Sequence, residues 1–188
     1  PGTQNVTVGG ACASDIHGKN HHKIGCFSES VVYLDLFVPG HGVFRCSREE
    51  NSSLFYATCG GLGLTGIILQ VGMNLCKVPS HLILEKRIKC KSLTELLLLF
   101  DRHKDTSYTV AWLDASARNH KLGRGIFIAG EHAEKSSKEF ILKKPRLHIT
   151  TPCRLIRNFT CNIFNTAFYH LHARHREQLV HAQDFFFP

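Results

Sequence analysis

The sequence predicts an α+β fold with two sheet-containing parts. Three observations lead there. β-rich runs and helix-start signals follow one another irregularly, without the even βα alternation of a parallel sheet. A Pro79-Ser80 break interrupts the pattern near the middle, dividing the chain into residues 1–78 and 79–188. No internal repeat or low-complexity tract suggests a solenoid or a linker array.

The elements follow in order. Val6-Thr7-Val8 reads as a strand that stops at Gly9-Gly10, followed by the small residues Ala11-Cys12-Ala13-Ser14 and a polar stretch over 15–22. Residues 31–38 are β-branched and apolar, a buried strand. Pro39-Gly40-His41-Gly42 is a turn and 43–46 returns as a hairpin partner. Ser47-x-x-Glu50 has the form of a capping box, with a short helix over 51–59 and a Gly-rich loop over 60–66. Residues 67–78 alternate, with Ile67, Leu69, Val71, Met73 and Leu75 on one strand face.

Beyond the break, 82–88 reads as a strand, and Ser92-x-x-Glu95 is a second box opening a helix to about His103. Strands are predicted over 108–113, ending in Asp114-Ala115, and over 125–129. Residues 135–144 form a charged connector. Phe159, Ile163, Ala167 and Leu171 have helical spacing over 159–174. His170, His172 and His175 beside Arg174 and Arg176 read as the solvated basic end of that helix.

Composition limits the function classes. A chain of 188 residues, 43% hydrophobic and 20% charged, is neither disordered, collagenous nor coiled coil. The densest apolar run, 96–100, falls far short of the ~18 residues of a membrane helix. The polar, Gly-rich first ten residues have no basic start and do not read as a secretory leader. The chain begins at Pro1 without Met and ends on the aromatic run 185–187, which reads as exposed, so we expect a piece of a longer protein.

The net charge of +8 is spread out. Lys86, Arg87, Lys89 and Lys91, and Lys143, Lys144 and Arg146, lack the interleaved aromatics that stack bases. A solvated basic face or steering of an anionic substrate is expected, and no nucleic-acid partner. The eight cysteines include no Cys-x-x-Cys pair, which argues against a zinc ribbon or a thioredoxin-type site. Cysteines among apolar neighbours favour a reducing compartment such as the cytoplasm. The three Asn-x-Ser/Thr sequons, at Asn5, Asn51 and Asn158, are a weak glycosylation signal.

Three constellations could carry chemistry. Gly61-x-Gly63-x-x-Gly66 matches the dinucleotide fingerprint in letters, but a helix is expected before it and a strand after it, the reverse of what a pyrophosphate site requires. Gly9-Gly10 followed by small residues, then His17, Gly18, Lys19, Asn20, His21 and His22, suits a polyanionic cofactor: amides donate, and a lysine supplies positive charge. The same cluster also fits a surface Gly/His loop. A metal module from His17, His21, Cys12 and Cys26 is a further alternative, weakened because Gly18 interrupts a helical presentation and no standard zinc spacing is present. The single Trp, Trp112, fits core or ligand wall.

The string from Val6 to Gly10 together with Asp15-Ile16-His17-Gly18-Lys19-Asn20-His21-His22 resembles FAD-dependent oxidoreductases of the vanillyl-alcohol-oxidase (PCMH) type, and within them the decaprenylphosphoryl-ribose oxidase group. Leu54 to Ile68, Ala111-Trp112-Leu113-Asp114-Ala115, Leu122-Gly123-Arg124-Gly125, Gly130-Glu131-His132-Ala133 and Phe164-Asn165 extend the resemblance. It implies that residues 1–78 form the second lobe of an FAD-binding domain and 79–188 the start of an antiparallel-sheet substrate domain. It implies flavin contacts at Gly2, Thr7, Val8, Gly9, Gly10, His17, Gly18, Lys19, Asn20, His21, His22, Gly25, Cys26, Phe27 and Ile68. His17 and Lys19 would be the catalytic residues, Lys19 and Trp112 would meet substrate, and no metal is implied.

The implied activity is oxidation of a secondary alcohol on a sugar, polyol or polyprenyl-phospho-sugar, with a reductase partner if the protein serves an epimerase system. Val110 replaces a small polar residue of the mycobacterial group, and 30–43 has its own loop length. The Gly-rich pyrophosphate loop of the first lobe has no counterpart in the chain, nor have the later substrate-domain strands and the C-terminal flavin contacts. A truncated, non-catalytic remnant is therefore the alternative.

Overall fold

The computed structural model describes residues 1–134 and 157–187, and the fold is α+β with antiparallel sheets. The described residues form two compact units, Pro1–Lys77 together with Phe186 and Phe187, and Val78–Phe185. The connector expected at 135–144 lies outside the described residues. Among the described residues no helix is long and apolar enough to cross a membrane.

In the first unit, β1 (Val31–Val38) is flanked by β2 (Gly42–Ser47) and β3 (Ile67–Met73), both antiparallel to it. Leu34 and Leu36, two residues apart, share one face of β1 and are fully buried. Cys46 and Val71 pair across from Leu34, and Ile68 from Leu36, completing the apolar face. The opposite face mixes exposed apolar residues, Phe37, Val43 and Ile67, with an ion pair. Asp35 sits opposite Arg45, which donates to it at 2.8 and 2.9 Å and lies 4.3 Å from the Tyr33 ring. Two helices cover the core: α1 (Val8–Ala13) contributes Cys12 and α3 (Ser52–Thr58) contributes Phe55. The Cys12 and Cys59 sulfurs lie 3.8 Å apart.

Several expectations for this unit are corrected. Residues 6–8 are not a strand, because Thr7 caps α1: its hydroxyl accepts from the Gly10 amide at 3.1 Å, and its carbonyl accepts from the Ala11 amide at 2.8 Å. Two glycines in a first turn are poor helix formers. The cap and the burial of Ala11 and Cys12 offset that cost. The polar stretch contains a single helical turn, α2 (His21–Ile24).

Ser47 and Glu50 do not form a capping box. The Ser47 hydroxyl accepts from the Glu49 and Glu50 amides, closing a turn, and α3 starts later, after Asn51 at φ +47°. The alternation expected over 67–78 ends at Met73 and is broken by a register shift. Asp35 pairs with Gln70 while Leu36 pairs with Ile68, so Leu69 bulges out of the ladder. The core face of β3 therefore holds Ile68 and Val71, while Ile67 and Leu69 are exposed.

The second unit is a four-stranded antiparallel sheet in the order β5-β6-β4-β7, from β4 (Leu82–Cys90), β5 (Tyr108–Leu113), β6 (Gly125–His132) and β7 (His175–His181). Helix α4 (Leu93–Arg102) starts where expected. The Ser92 hydroxyl accepts from the Glu95 amide, and Glu95 accepts from the Lys91 amide at 2.7 Å. Leu96 and Leu99 of α4 pack on Cys90, Phe127 and Ala129. Alternate residues face the other way, where Trp112 meets Phe168 of α5 (Asn158–Leu171) with ring centroids 4.8 Å apart.

Two expectations at the end of the chain are corrected. The basic run from His175 is not a helix end but β7, paired with β4 from Leu82↔His181 to Ile88↔His175. Burial of β4 needs a neighbour on that side, and this overrides the helical reading. Phe185 in α6 (Ala182–Phe186) is not exposed: it is 2% accessible and occupies the space left by Gly130 and beside Tyr108. Phe185→Ala should lower unfolding free energy by about 3–5 kcal/mol, measured by urea denaturation. A loss under ~1 kcal/mol would contradict this packing.

Candidate functional site

In the first unit, the segment expected to meet a cofactor is tied down at its base. The Ile16 amide donates to the Ala11 carbonyl at 3.1 Å, and the Phe27 amide to the Ile16 carbonyl at 2.8 Å. Asp15, at φ +41°, accepts the Ser28 amide at 2.8 Å. These bonds hold 16 and 27 side by side, so the residues between them stand out as one loop. His17, Gly18, Asn20, Gly25, Cys26 and Phe27 line a groove of about 160 Å³ there, together with Pro1. Lys19 and Asn20 are half-buried, and His17, His21 and His22 are exposed. The His17 and His21 rings lie 5.0 Å apart, and the Cys26 sulfur lies 3.8 Å from His21 Nδ1. Among the described residues no group of three or more His, Cys, Asp or Glu is placed to hold a metal ion.

The structure also brings Ile68 beside the twin glycines: a Cβ on Gly9 would meet only Ile68, at 3.9 Å. The expectation that Gly9 and Gly10 lie in a loop is corrected, and for Gly10 so is that of an open amide. Both lie in α1, and the Gly10 amide is taken by Thr7. Only the amides that open the helix, Val8 and Gly9, lack a partner within it. Gly2, Lys19, His21 and His22 are not in the groove lining, which at 160 Å³ holds the edge of a ring system and not its whole plane. Of the residues expected to meet a cofactor, His17, Gly18, Asn20, Gly25, Cys26 and Phe27 are the ones in the groove lining.

The second unit contains a buried polar cluster that the sequence reading did not assign. Asp114, fully buried at the end of β5, is 2.6 Å from Arg124 Nη2 and accepts from Arg124 Nε at 2.8 Å. It also accepts from the Ser116 hydroxyl at 2.6 Å and the Asn165 amide at 2.9 Å. Arg124 donates onward to the Thr166 hydroxyl at 3.0 Å and lies 5.0 Å from the Tyr169 ring. Burial alone would push the Asp114 carboxyl up. The hydrogen bonds from Ser116, Arg124 and Asn165 outweigh it and hold the carboxyl below its ordinary value. The signal was in the sequence: the strings around Asp114, Arg124 and Asn165 are three that carried the resemblance, and they converge here.

No family model matches the chain. It is 36% identical over 155 residues to decaprenylphosphoryl-β-D-ribose oxidase of Mycolicibacterium smegmatis, covering 81% of this chain and 34% of that protein. It is 37% identical over 134 residues to an uncharacterized protein of Streptomyces coelicolor, covering 71% of this chain and 36% of that one. Over 77 residues it is 38% identical to cytokinin dehydrogenase 5 of Arabidopsis thaliana, covering 40% of this chain and 14% of that protein. Homologues of this chain thus include FAD-dependent oxidoreductases of the PCMH type, the ribose oxidase and the cytokinin dehydrogenase among them. It spans about a third of the length of the first two.

Because the folded Asp114 carboxyl is held low, its contribution is present above the unfolded value of ~3.9 and is lost as pH falls through the folded value. Asp114→Asn should cost about 3–5 kcal/mol at neutral pH by leaving Arg124 buried without its counter-charge. The deficit against the parent should shrink below about pH 4 in urea titrations. An equal deficit at all pH values would show that the charge is not what matters. In the first unit, Thr7→Ala should cost about 1 kcal/mol through loss of the α1 cap, read from the denaturation midpoint.

Proposed function

We propose that the chain is the flavin-contacting part of an FAD-dependent oxidoreductase that oxidises a secondary alcohol of a sugar or polyol. On this reading the first unit is a lobe of the FAD-binding domain and the second the start of the substrate domain. The observation that carries it is the pinned loop between Ile16 and Phe27, which gathers His17, Gly18, Asn20 and Cys26 around one groove in a chain homologous to such oxidoreductases.

FAD, when bound, supplies the hydride acceptor, flavin N5. The chain's residues supply position and charge. Gly9 with Ile68 behind it offers a flat, small surface against which a ring can lie. The half-buried Lys19 places a positive charge where negative charge builds up, on the reduced ring or on the substrate. The exposed His17 orients the substrate hydroxyl. Trp112, held by Phe168, forms a wall of the substrate pocket. The name of the Mycolicibacterium relative supports a sugar-type substrate.

A second reading, a remnant that binds no flavin, is favoured by the small groove. FAD titration of the chain decides between them. Tight binding with a shifted flavin spectrum supports the oxidoreductase part, and no binding supports the remnant. In the FAD-loaded protein, Lys19→Ala should slow anaerobic flavin reduction by substrate roughly a hundredfold, followed by flavin absorbance. Unchanged reduction would remove Lys19 from this role.

A further inference from the structure

Two cysteines of the first unit face each other at the edge of its core. Cys12, in the last turn of α1, is fully buried, and Cys59, the residue after α3, is half-buried. Their sulfurs lie 3.8 Å apart. The main chains that carry them run side by side. The Gly60 amide donates to the Cys12 carbonyl at 3.1 Å, and the Leu62 amide to the Ala13 carbonyl at 2.8 Å. A Cβ on Gly60 would lie 3.5 Å from the Asp15 Cβ, so the close approach continues past the end of α1. A disulfide needs ~2.05 Å between its sulfurs and two backbones already adjacent. The backbones meet that condition here, and rotation of the two side chains closes the remaining gap.

The pair differs from other buried cysteines of the chain. Cys46 in the same core and Cys90 in the second unit donate to main-chain carbonyls, of Phe44 at 3.7 Å and Ile88 at 3.5 Å. Burial pushes both of those thiols up, which keeps them protonated and inert. Between Cys12 and Cys59 the hydrogen bond runs from sulfur to sulfur, and either can donate. It holds the Cys12 thiol low, against burial and the Asp15 charge, which raise it. Once one proton has left, the other is shared by both sulfurs, and the more open of them, Cys59, meets solvent.

We propose that Cys12 and Cys59 form a reversible disulfide that staples the end of α1 to the turn after α3, with hydrogen peroxide as the oxidant. The Cys59 thiolate attacks peroxide: an S–O bond forms, the O–O bond breaks and hydroxide leaves. The Cys12 thiolate then attacks the Cys59 sulfur: the S–S bond forms, the S–O bond breaks and a second hydroxide leaves. The two thiol protons turn both hydroxides into water, so the sulfurs lose two electrons and peroxide gains them. A dithiol reverses the step through the half-exposed Cys59 sulfur. The bond spans 47 positions that include β1 and β2, and so restricts the unfolded chain across that hairpin. In the folded unit it fixes the helix end to which Ile16, the base of the 16–27 loop, is hydrogen-bonded through Ala11. The pair lies in the first unit alone and needs no flavin, so its test stands whether or not the chain binds FAD.

Peroxide treatment of the fully reduced, folded chain tests it, followed by alkylation, digestion without reductant and peptide mass mapping. A peptide joining Cys12 to Cys59, lighter by two hydrogens than its parts, is expected while Cys46 remains alkylatable after unfolding. The oxidised chain should melt about 5–10 °C higher, and dithiothreitol should abolish both the joined peptide and the rise. Cys59→Ala, at a half-buried position, should remove both without unfolding the chain, as its melting temperature in reductant would show. No joined peptide overturns the proposal, as does Cys59 joined to a different cysteine or oxidised without a partner. A joined peptide with an unchanged melting temperature overturns the staple, and a rise that persists in Cys59→Ala assigns it to another site and does the same.

Discussion

A carboxylate shut away from water beside a guanidinium 2.6 Å distant holds the second unit in register. Asp114 ends β5, Arg124 precedes β6, and Asn165 and Thr166 come from α5, so one polar cluster ties the sheet to the helix across it. Such a pair adds little net stability over an apolar replacement, but losing one partner is costly. Docking of α5 adds the Asn165 amide to the Ser116 and Arg124 donors that the carboxylate already has. That docking sets Trp112 against Phe168.

The first unit achieves order differently. Its loop between α1 and β1 is fixed by main-chain bonds, with Phe27 on Ile16 and Ile16 on Ala11. The Gly60 amide donates to the Cys12 carbonyl and the Leu62 amide to the Ala13 carbonyl, so the glycine-rich turn after α3 supports the far end of α1. His17, His21 and His22, carried on this anchored backbone, are exposed at the surface. A rigid base under exposed polar groups is the arrangement a ligand-contacting loop requires.

Much of this was legible in the sequence. The hairpin of β1 and β2, the strands β4, β5 and β6, and the capped α4 follow from β-branched runs, turn residues and the Ser92-x-x-Glu95 pattern. The failures have physical causes. Val6-Thr7-Val8 has strand-like residues, but the Thr7 hydroxyl turns them into a helix start. The same Ser/Glu spacing at Ser47 closes a turn, since a pattern of two residues does not specify which backbone conformation follows. Leu69 breaks an alternation that looked regular, because a bulge is a property of the pairing and not of one strand. β7 was hidden because its pattern of charges only makes sense beside β4, where Gln178 reaches Glu85. The loop at 17–27 stands out in the sequence by its residue types. The Asp114 cluster was passed over because its members are about ten and fifty positions apart.

One feature of the second sheet reaches beyond this chain. A side-chain carbon on Gly130 would lie 2.5 Å from the Phe185 ring and 2.8 Å from Ile83, so the glycine is a socket and the phenylalanine its plug. Positions 130 and 185 are therefore expected to constrain one another. A lineage that gains a methyl group at the first must shorten the second, and an alignment deep enough to show pairwise variation would reveal the two as partners despite the 55 positions that separate them.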